Sequence, residues 1–364
     1  MATAVALCLL AGLRVATGGG AATPTAVVAP VATVPAGTPT ATASAAAPRV
    51  RPAPAPRAAA PARPAAAVPP AVPRSGCPVP YHPPSTSAPR PLRPPAVADA
   101  LLPPALPVAR KASTLAAVSG KGLWVTPWPT SRLDVPALVA HAKALGVRNL
   151  WVRTGGSRQG WYGGRFLPQL VPQAHAAGIT VVAWDFPTLS NPVADARRAQ
   201  LALAAGVDGF SPDVETRAEG TYATPRRVAL YLSLVRRAAG ARPVVATVPR
   251  PTPLRQRSFP YRAFVRYADV FAPMVYWSCK EPGALVQQAI RYLRPLLPVA
   301  PVGQAYDMGP EGGRRGLPSR AETLRFLDAA KRAGAVGASL WTVEHAGREQ
   351  LRAMASYRWL VTAG

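Results

Sequence analysis

The chain has 364 residues, 42 of them basic and 16 acidic, for a formal charge of +26. Only five of the basic residues are lysine, and the arginines are scattered with no compact basic helix and no zinc-finger spacing. That pattern excludes specific nucleic-acid recognition and leaves attraction to an anionic polymer, such as those of a cell wall, as the partner the charge allows. The three cysteines (Cys8, Cys77, Cys279) and four histidines (His82, His141, His175, His345) form no CxxC, HxH or HExxH pattern, so neither a disulfide framework nor a metal site is expected, and no cofactor is implied.

From the N-terminus, residues 4–13 make an apolar run, AVALCLLAGL, that stops at Arg14. It is too short to span a bilayer and has the length of a signal-peptide core, with small residues at 16–22 for cleavage. Residues 1–22 are read as a signal peptide although no basic residue precedes the run; the alternative is the start of a low-complexity tail. Neither reading leaves a membrane span in the mature chain. Residues 23–118 are dominated by Ala, Pro, Val, Thr and Arg, as in APAPRAAAPARPAAAVPP at 53–70. Proline lacks a backbone N–H and fixes φ, and the stretch has too few large apolar residues to offset chain entropy. The expectation is a disordered Pro/Ala-rich tether on a secreted or cell-surface protein. The net charge is shared, +9 through residue 118 and +17 beyond it.

Residues 119–364 change character. Apolar β-rich runs at 122–126, 149–154, 180–186, 209–215, 243–248, 270–277, 299–307 and 337–344 alternate with amphipathic stretches at 135–145, 167–177, 192–205, 225–239, 284–293 and 319–333. Asp134 stands where the first helix needs an N-cap, and Gly146, Gly178, Gly206, Gly240 and Gly334 end helices just before the next strand. Strand–helix–Gly–strand repeated eight times in about 240 residues specifies an α/β fold, a closed (β/α)8 TIM barrel. No GxGxxG follows the first strand, which removes the dinucleotide-binding alternative.

In such a barrel the chemistry lies at the C-terminal ends of the strands. Five of the barrel's fifteen acids fall there: Asp185, Asp213, Glu215, Asp307 and Glu344. Asp213 and Glu215 are two apart on one strand, so both point into the mouth, and two carboxyls held that close raise the pKa of one of them. A raised carboxyl can protonate a glycosidic oxygen. Trp128, Trp161, Tyr162, Trp184, Tyr276, Trp277, Tyr306 and Trp341 gather near the same ends and together point to a saccharide cleft, while Trp124 and Trp151, earlier in their strands, are assigned to packing.

The run 207–215, VDGFSPDVE, resembles the fourth-strand signature of the family 18 chitinase-like glycoside hydrolases, which closes in D-x-E; less closely, it resembles the family 25 lysozyme-like barrels. Met274-Val275-Tyr276-Trp277 is similar to the family 18 M-x-Y segment, and Trp341 falls where its eighth-strand tryptophan lies. The resemblance implies Glu215 as proton donor, Asp213 orienting the substrate's N-acetyl group and Tyr276 hydrogen-bonding that group, the substrate-assisted exception to the two-carboxylate scheme. Asp185, Trp128, Trp184, Trp277, Tyr306, Asp307, Trp341 and Glu344 are then the expected substrate-binding set. Ser211 departs from the pattern, standing where the family places another Asp. Two outcomes stay open: a secreted glycosidase acting on peptidoglycan or a chitin-like polymer, and an inactive carbohydrate- or cell-wall-binding barrel. Further alternatives are a carboxyl pair of Glu215 with Asp307 or Glu344, and a hydrolase of another class using Asp185 and His345.

Overall fold

The computed structural model describes residues 76–77, 94–107 and 111–359. The run read as a signal peptide and most of the expected tether lie outside the described residues.

Eight strands run parallel: β1 (Gly120–Val125), β2 (Asn149–Gly156), β3 (Thr180–Phe186), β4 (Gly209–Pro212), β5 (Val245–Pro249), β6 (Val270–Val275), β7 (Val302–Gln304) and β8 (Gly337–Trp341). They pair in the order β4-β3-β2-β1-β8-β7-β6-β5. Single bridges from Phe210 to Val244 and from Asp213 to Thr247 join the two ends, so the sheet closes on itself as the alternation of elements predicts. A two-residue strand, Gly160–Trp161, folds back antiparallel on the end of β2.

The helices are α1 (Val135–Ala144), α2 (Leu167–Ala176), α3 (Pro192–Ala204), α4 (Pro225–Ala239), α5 (Pro253–Ser258), α6 (Tyr261–Phe264), α7 (Pro282–Leu293), α8 (Arg320–Arg332) and α9 (Arg348–Ser356). Their starts are written locally. The side chains of Asp134, Asn191, Thr224, Thr252 and Glu281 each accept a first-turn backbone N–H, and proline, which has no N–H to satisfy there, follows in the first turn of all five helices. The five glycines expected at helix ends all have positive φ, between 59° and 86°. No helix among the described residues is long and apolar enough to cross a membrane.

Alternation along each strand divides the apolar residues into two layers. The outer one, between strands and helices, holds Leu150, Phe210, Val248, Phe271, Leu340 and their helical partners. The inner one fills the barrel with Trp124, Trp151, Val182, Trp184, Val245, Val270, Ala272, Ala300 and Val302. Trp124 and Trp151 stack at 4.9 Å, and Trp184 and Trp341 pack on Trp124 at 5.4 and 5.3 Å. In this inner layer the buried indole N–H groups of Trp124 and Trp151 find acceptors, Ser339 Oγ at 2.8 Å and Asn149 Oδ1 at 2.7 Å. Leu115, Ala117 and Val118 close the lower end, which leaves the strand C-termini as the open mouth.

Two expectations need correction. The tether was taken to run to residue 118, yet residues 94–107 and 111–118 are fastened along the barrel wall. The Val97 amide donates to Ser190 O, Asp99 pairs with Arg227, the Leu106 amide donates to Ser233 Oγ, and the Lys111 ammonium donates to Val265 O and Ala268 O. The physical reason lies on α4, where Arg227 and Arg236 are buried at 1% and 0% exposure and therefore need anionic partners, which Asp99 and Asp269 provide. The second correction concerns sulfur: Cys77 and Cys279 form a disulfide across 202 residues of sequence. Closing so long a loop removes much unfolded-chain entropy, and a native bridge of this kind typically contributes about 2–4 kcal/mol. Cys77→Ser is expected to lower the urea midpoint of the oxidised protein accordingly and to abolish its sensitivity to dithiothreitol; equal midpoints with and without reductant in the wild type would remove this bridge from the account of stability.

Candidate active site

The expected fourth strand, 209–215, forms its ladder over Gly209–Pro212 only, and Asp213 carries the last bridge, to Thr247 of β5. Asp213 therefore stands at the lip of the barrel and Glu215 just beyond it. The Asp213 amide donates to Asp185 O at 2.9 Å. Its carboxyl is 3% exposed, and Oδ1 has no hydrogen-bond partner among the described residues. Burial pushes this carboxyl up to about 7; Arg153 pulls the other way, and Asp185 and Glu219 add to the rise. Glu215 is half-buried. Burial first, then the Asp213 charge and more distantly Glu219 and Glu311, hold it well above the usual carboxylate range, with Arg255 opposing.

Tyr276 is the next inward position after β6 and packs with the inner layer. Burial raises its phenol, followed by the influence of Tyr306, Asp213 and Glu215. Electrostatic influence thus links all three groups that the resemblance singles out. Tyr306 stands edge-on to Tyr276 at 5.3 Å and donates its hydroxyl to Glu311 at 3.1 Å. Ser211 lies one inward position below Asp213, and its hydroxyl contacts Val245 O at 3.0 Å and Thr247 Oγ1 at 2.7 Å. It is tied to β5 and gives Asp213 no hydrogen bond.

The rest of the expected binding set divides. Trp184 and Trp341 belong to the interior, Trp184 at 1% exposure and Trp341 half-buried above it, while Trp128 is 57% exposed at the rim. Asp185 and Trp277 face the other way. Each is the immediate neighbour of an inward residue, Trp184 and Tyr276, and adjacent strand residues point to opposite faces. Trp277 packs against Phe326 of α8 at 5.5 Å. Asp185 is held by Arg198 of α3, which donates to its two oxygens at 2.6 and 3.0 Å and also reaches Asp195. Burial pushes Asp185 up and the Arg198 hydrogen bonds pull it back. So placed, it cannot serve a hydrolase built with His345, which is exposed. Asp307 is exposed and accepts the Gly309 amide in a turn; Glu344 is exposed and accepts the Thr126 amide at 2.5 Å. Neither is among the charges that weigh most on Glu215, where the neighbours are Asp213, Glu219 and Glu311. Removing Asp185 leaves Arg198 buried with half its partners, so Asp185→Ala is expected to cost about 3 kcal/mol in a urea titration; a change below about 0.5 kcal/mol would contradict this structural assignment.

Sequence reasoning missed Arg153, Glu219, Glu311 and Arg255. Arg153 was within reach, being two residues beyond Trp151 and so on the same face of the same strand. The other three sit in loops or short helices with no periodic signal.

No protein-family model matches the chain, and no curated protein matches it in sequence. Solved structures do. A GH113 β-1,4-mannanase in complex aligns with a TM-score of 0.51 at 9% identity, covering 66% of this chain and 97% of that one. The spore cortex-lytic enzyme SleL of Bacillus cereus aligns at 0.49 and 10% identity, over 68% of this chain and 76% of the other. The GH18 chitinase ChiB of Flavobacterium johnsoniae aligns at 0.48 and 10% identity, over 65% and 93%. At these identities the likeness speaks to the fold alone, the closed parallel barrel.

Proposed function

We propose that the protein is a secreted glycoside hydrolase that cleaves an N-acetylated glycan, peptidoglycan or a chitin-like polymer, with Glu215 and Asp213 as its acid pair. The observation that supports this reading is the position of Asp213 and Glu215 at the end of β4 and of Tyr276 at the end of β6, where burial raises both carboxyls above the usual carboxylate range. A protonated Glu215 can give its proton to the glycosidic oxygen as the bond to the anomeric carbon breaks. The substrate's N-acetyl oxygen attacks that carbon, with Asp213 accepting from the amide N–H and Tyr276 donating to the acetyl oxygen. Water then opens the cyclic intermediate, and Glu215 takes back a proton from it. Asp213 and Glu215 titrate as a coupled pair, so their protons belong to both. Export is supported by the apolar N-terminal run and by the Cys77–Cys279 disulfide, a bond that persists in oxidising surroundings.

A second reading, a glycan-binding barrel without turnover, is favoured by one observation: the Ser211 hydroxyl is engaged by β5, so no described residue is placed to exchange a hydrogen bond with Asp213 Oδ1. Measuring reducing ends released from peptidoglycan and from chitin oligomers by purified protein separates the two. Release that disappears in Glu215→Gln supports the hydrolase; retention of glycan with no product supports the binding barrel.

A further inference from the structure

Most buried guanidinium groups of this barrel have identified acceptors. Arg198, Arg227, Arg236 and Arg314 each meet a carboxylate, and Arg242 meets the carbonyls of Leu203, Val207 and Ala239. Arg153 differs. It is half-buried on the inward face at the end of β2 and makes no ion pair with a described residue. Its one hydrogen bond is from Nε to Gly155 O, at 3.4 Å. Its guanidinium carbon lies instead over the indole rings of Trp128, at 5.4 Å, and Trp184, at 5.1 Å. Asp185, which lies close by, is taken by Arg198. The result is a cation held against two indoles, with no described acceptor for its Nη donors and one of the indoles, Trp128, open to solvent at 57% exposure. A guanidinium so held presents a rigid pair of parallel N–H donors, the complement of a planar two-oxygen acceptor.

We infer that Arg153 is a specificity-determining residue that binds a carboxylate carried by the glycan, on a sugar next to the linkage cleaved. The proposal rests on the glycan-cleaving reading above and narrows its substrate class from neutral N-acetylated polymers to acidic ones, such as those whose amino sugars bear a lactyl ether. Trp128 supplies the platform for the ring, and Arg153 reads the acid beside it.

The test is calorimetric binding to the Glu215→Gln protein of three oligosaccharides: peptide-free peptidoglycan glycan with its carboxylates intact, the same material with the carboxylates reduced to alcohols, and a chitin oligomer of equal length. The expected result is at least tenfold tighter binding of the carboxylated form, falling to less than twofold when Arg153→Met is added and recovering in part with Arg153→Lys. Arg153→Gln repeats the test if the Met variant does not fold. No preference for the carboxylate, an unchanged preference in the Arg153 variants, no measurable binding of the acidic oligosaccharide, or an equal loss of binding for all three ligands would each overturn the proposal; the last would show Arg153 acting only through Asp213. Cleavage assays on the same ligands keep the two readings apart. Turnover without carboxylate preference removes this inference and leaves the hydrolase standing, whereas Arg153-dependent preference without turnover does the reverse.

Discussion

Glu215→Gln is expected to lower kcat on the glycan by about 10³-fold while KM stays within a few-fold, since a well-placed general acid contributes roughly 10²–10⁴ to such a reaction. That loss corresponds to about 4 kcal/mol of transition-state stabilisation. Glutamine keeps the shape of the side chain and loses only the transferable proton. The carboxyl of Glu215 accepts no hydrogen bond from a described residue, so the exchange strands no buried donor and folding should be unaffected. The deficit should shrink on aryl glycosides with acidic leaving groups, which need little protonation. The active form of this acid is the protonated one and its pKa is raised, so activity persists to higher pH than an ordinary glutamate would allow and falls as pH rises through the raised value. Undiminished turnover by the Gln variant would take the acid role away from Glu215.

Asp213→Asn should separate activity from stability. Loss of a charge beside the reacting N-acetyl group is expected to cost about 10²–10³ in kcat, yet the variant should fold more stably above neutral pH. An aspartate that titrates near 3.8 in the unfolded chain and at about 7 in the folded one binds its proton more tightly when folded. Stability therefore declines as pH rises from about 4 to 7 and is flat above, with a total penalty of at most about 4 kcal/mol. Asparagine cannot ionise and avoids it. Urea midpoints at pH 4.5 and pH 8 should show near-equality at the lower pH and a clear advantage for Asp213→Asn at the higher. A variant that is the less stable of the two at pH 8 would refute the buried, proton-holding aspartate.

How much of this was legible in the sequence depends on what kind of information each feature needs. The eight strands were readable because each is a short apolar run, and five of them follow a glycine-ended helix. Helices α5 and α6 were not, because at six and four residues neither is long enough to display a helical period. At the site, the spacing of Asp213 and Glu215 was enough to place them together. Trp184–Asp185 and Tyr276–Trp277 were harder: alternation says that only one of each pair faces the mouth, but choosing which requires the phase of the whole strand, and that is set by packing against α3 and α8. The Cys77–Cys279 bridge was invisible for a different reason, since a sequence separation of 202 leaves no local trace of the pairing.

The four tryptophans at the centre of the barrel also give it an optical signature. Trp124, Trp151, Trp184 and Trp341 have ring centroids 4.9 to 5.4 Å apart in a fixed chiral arrangement, so their indole transitions couple and should dominate the near-ultraviolet circular dichroism. They come from β1, β2, β3 and β8, neighbours across half the barrel, so that signal reports on closure of that half and on little else. Trp128 stands at the solvent edge, 57% exposed, where its emission offers a native report on occupancy of the cleft.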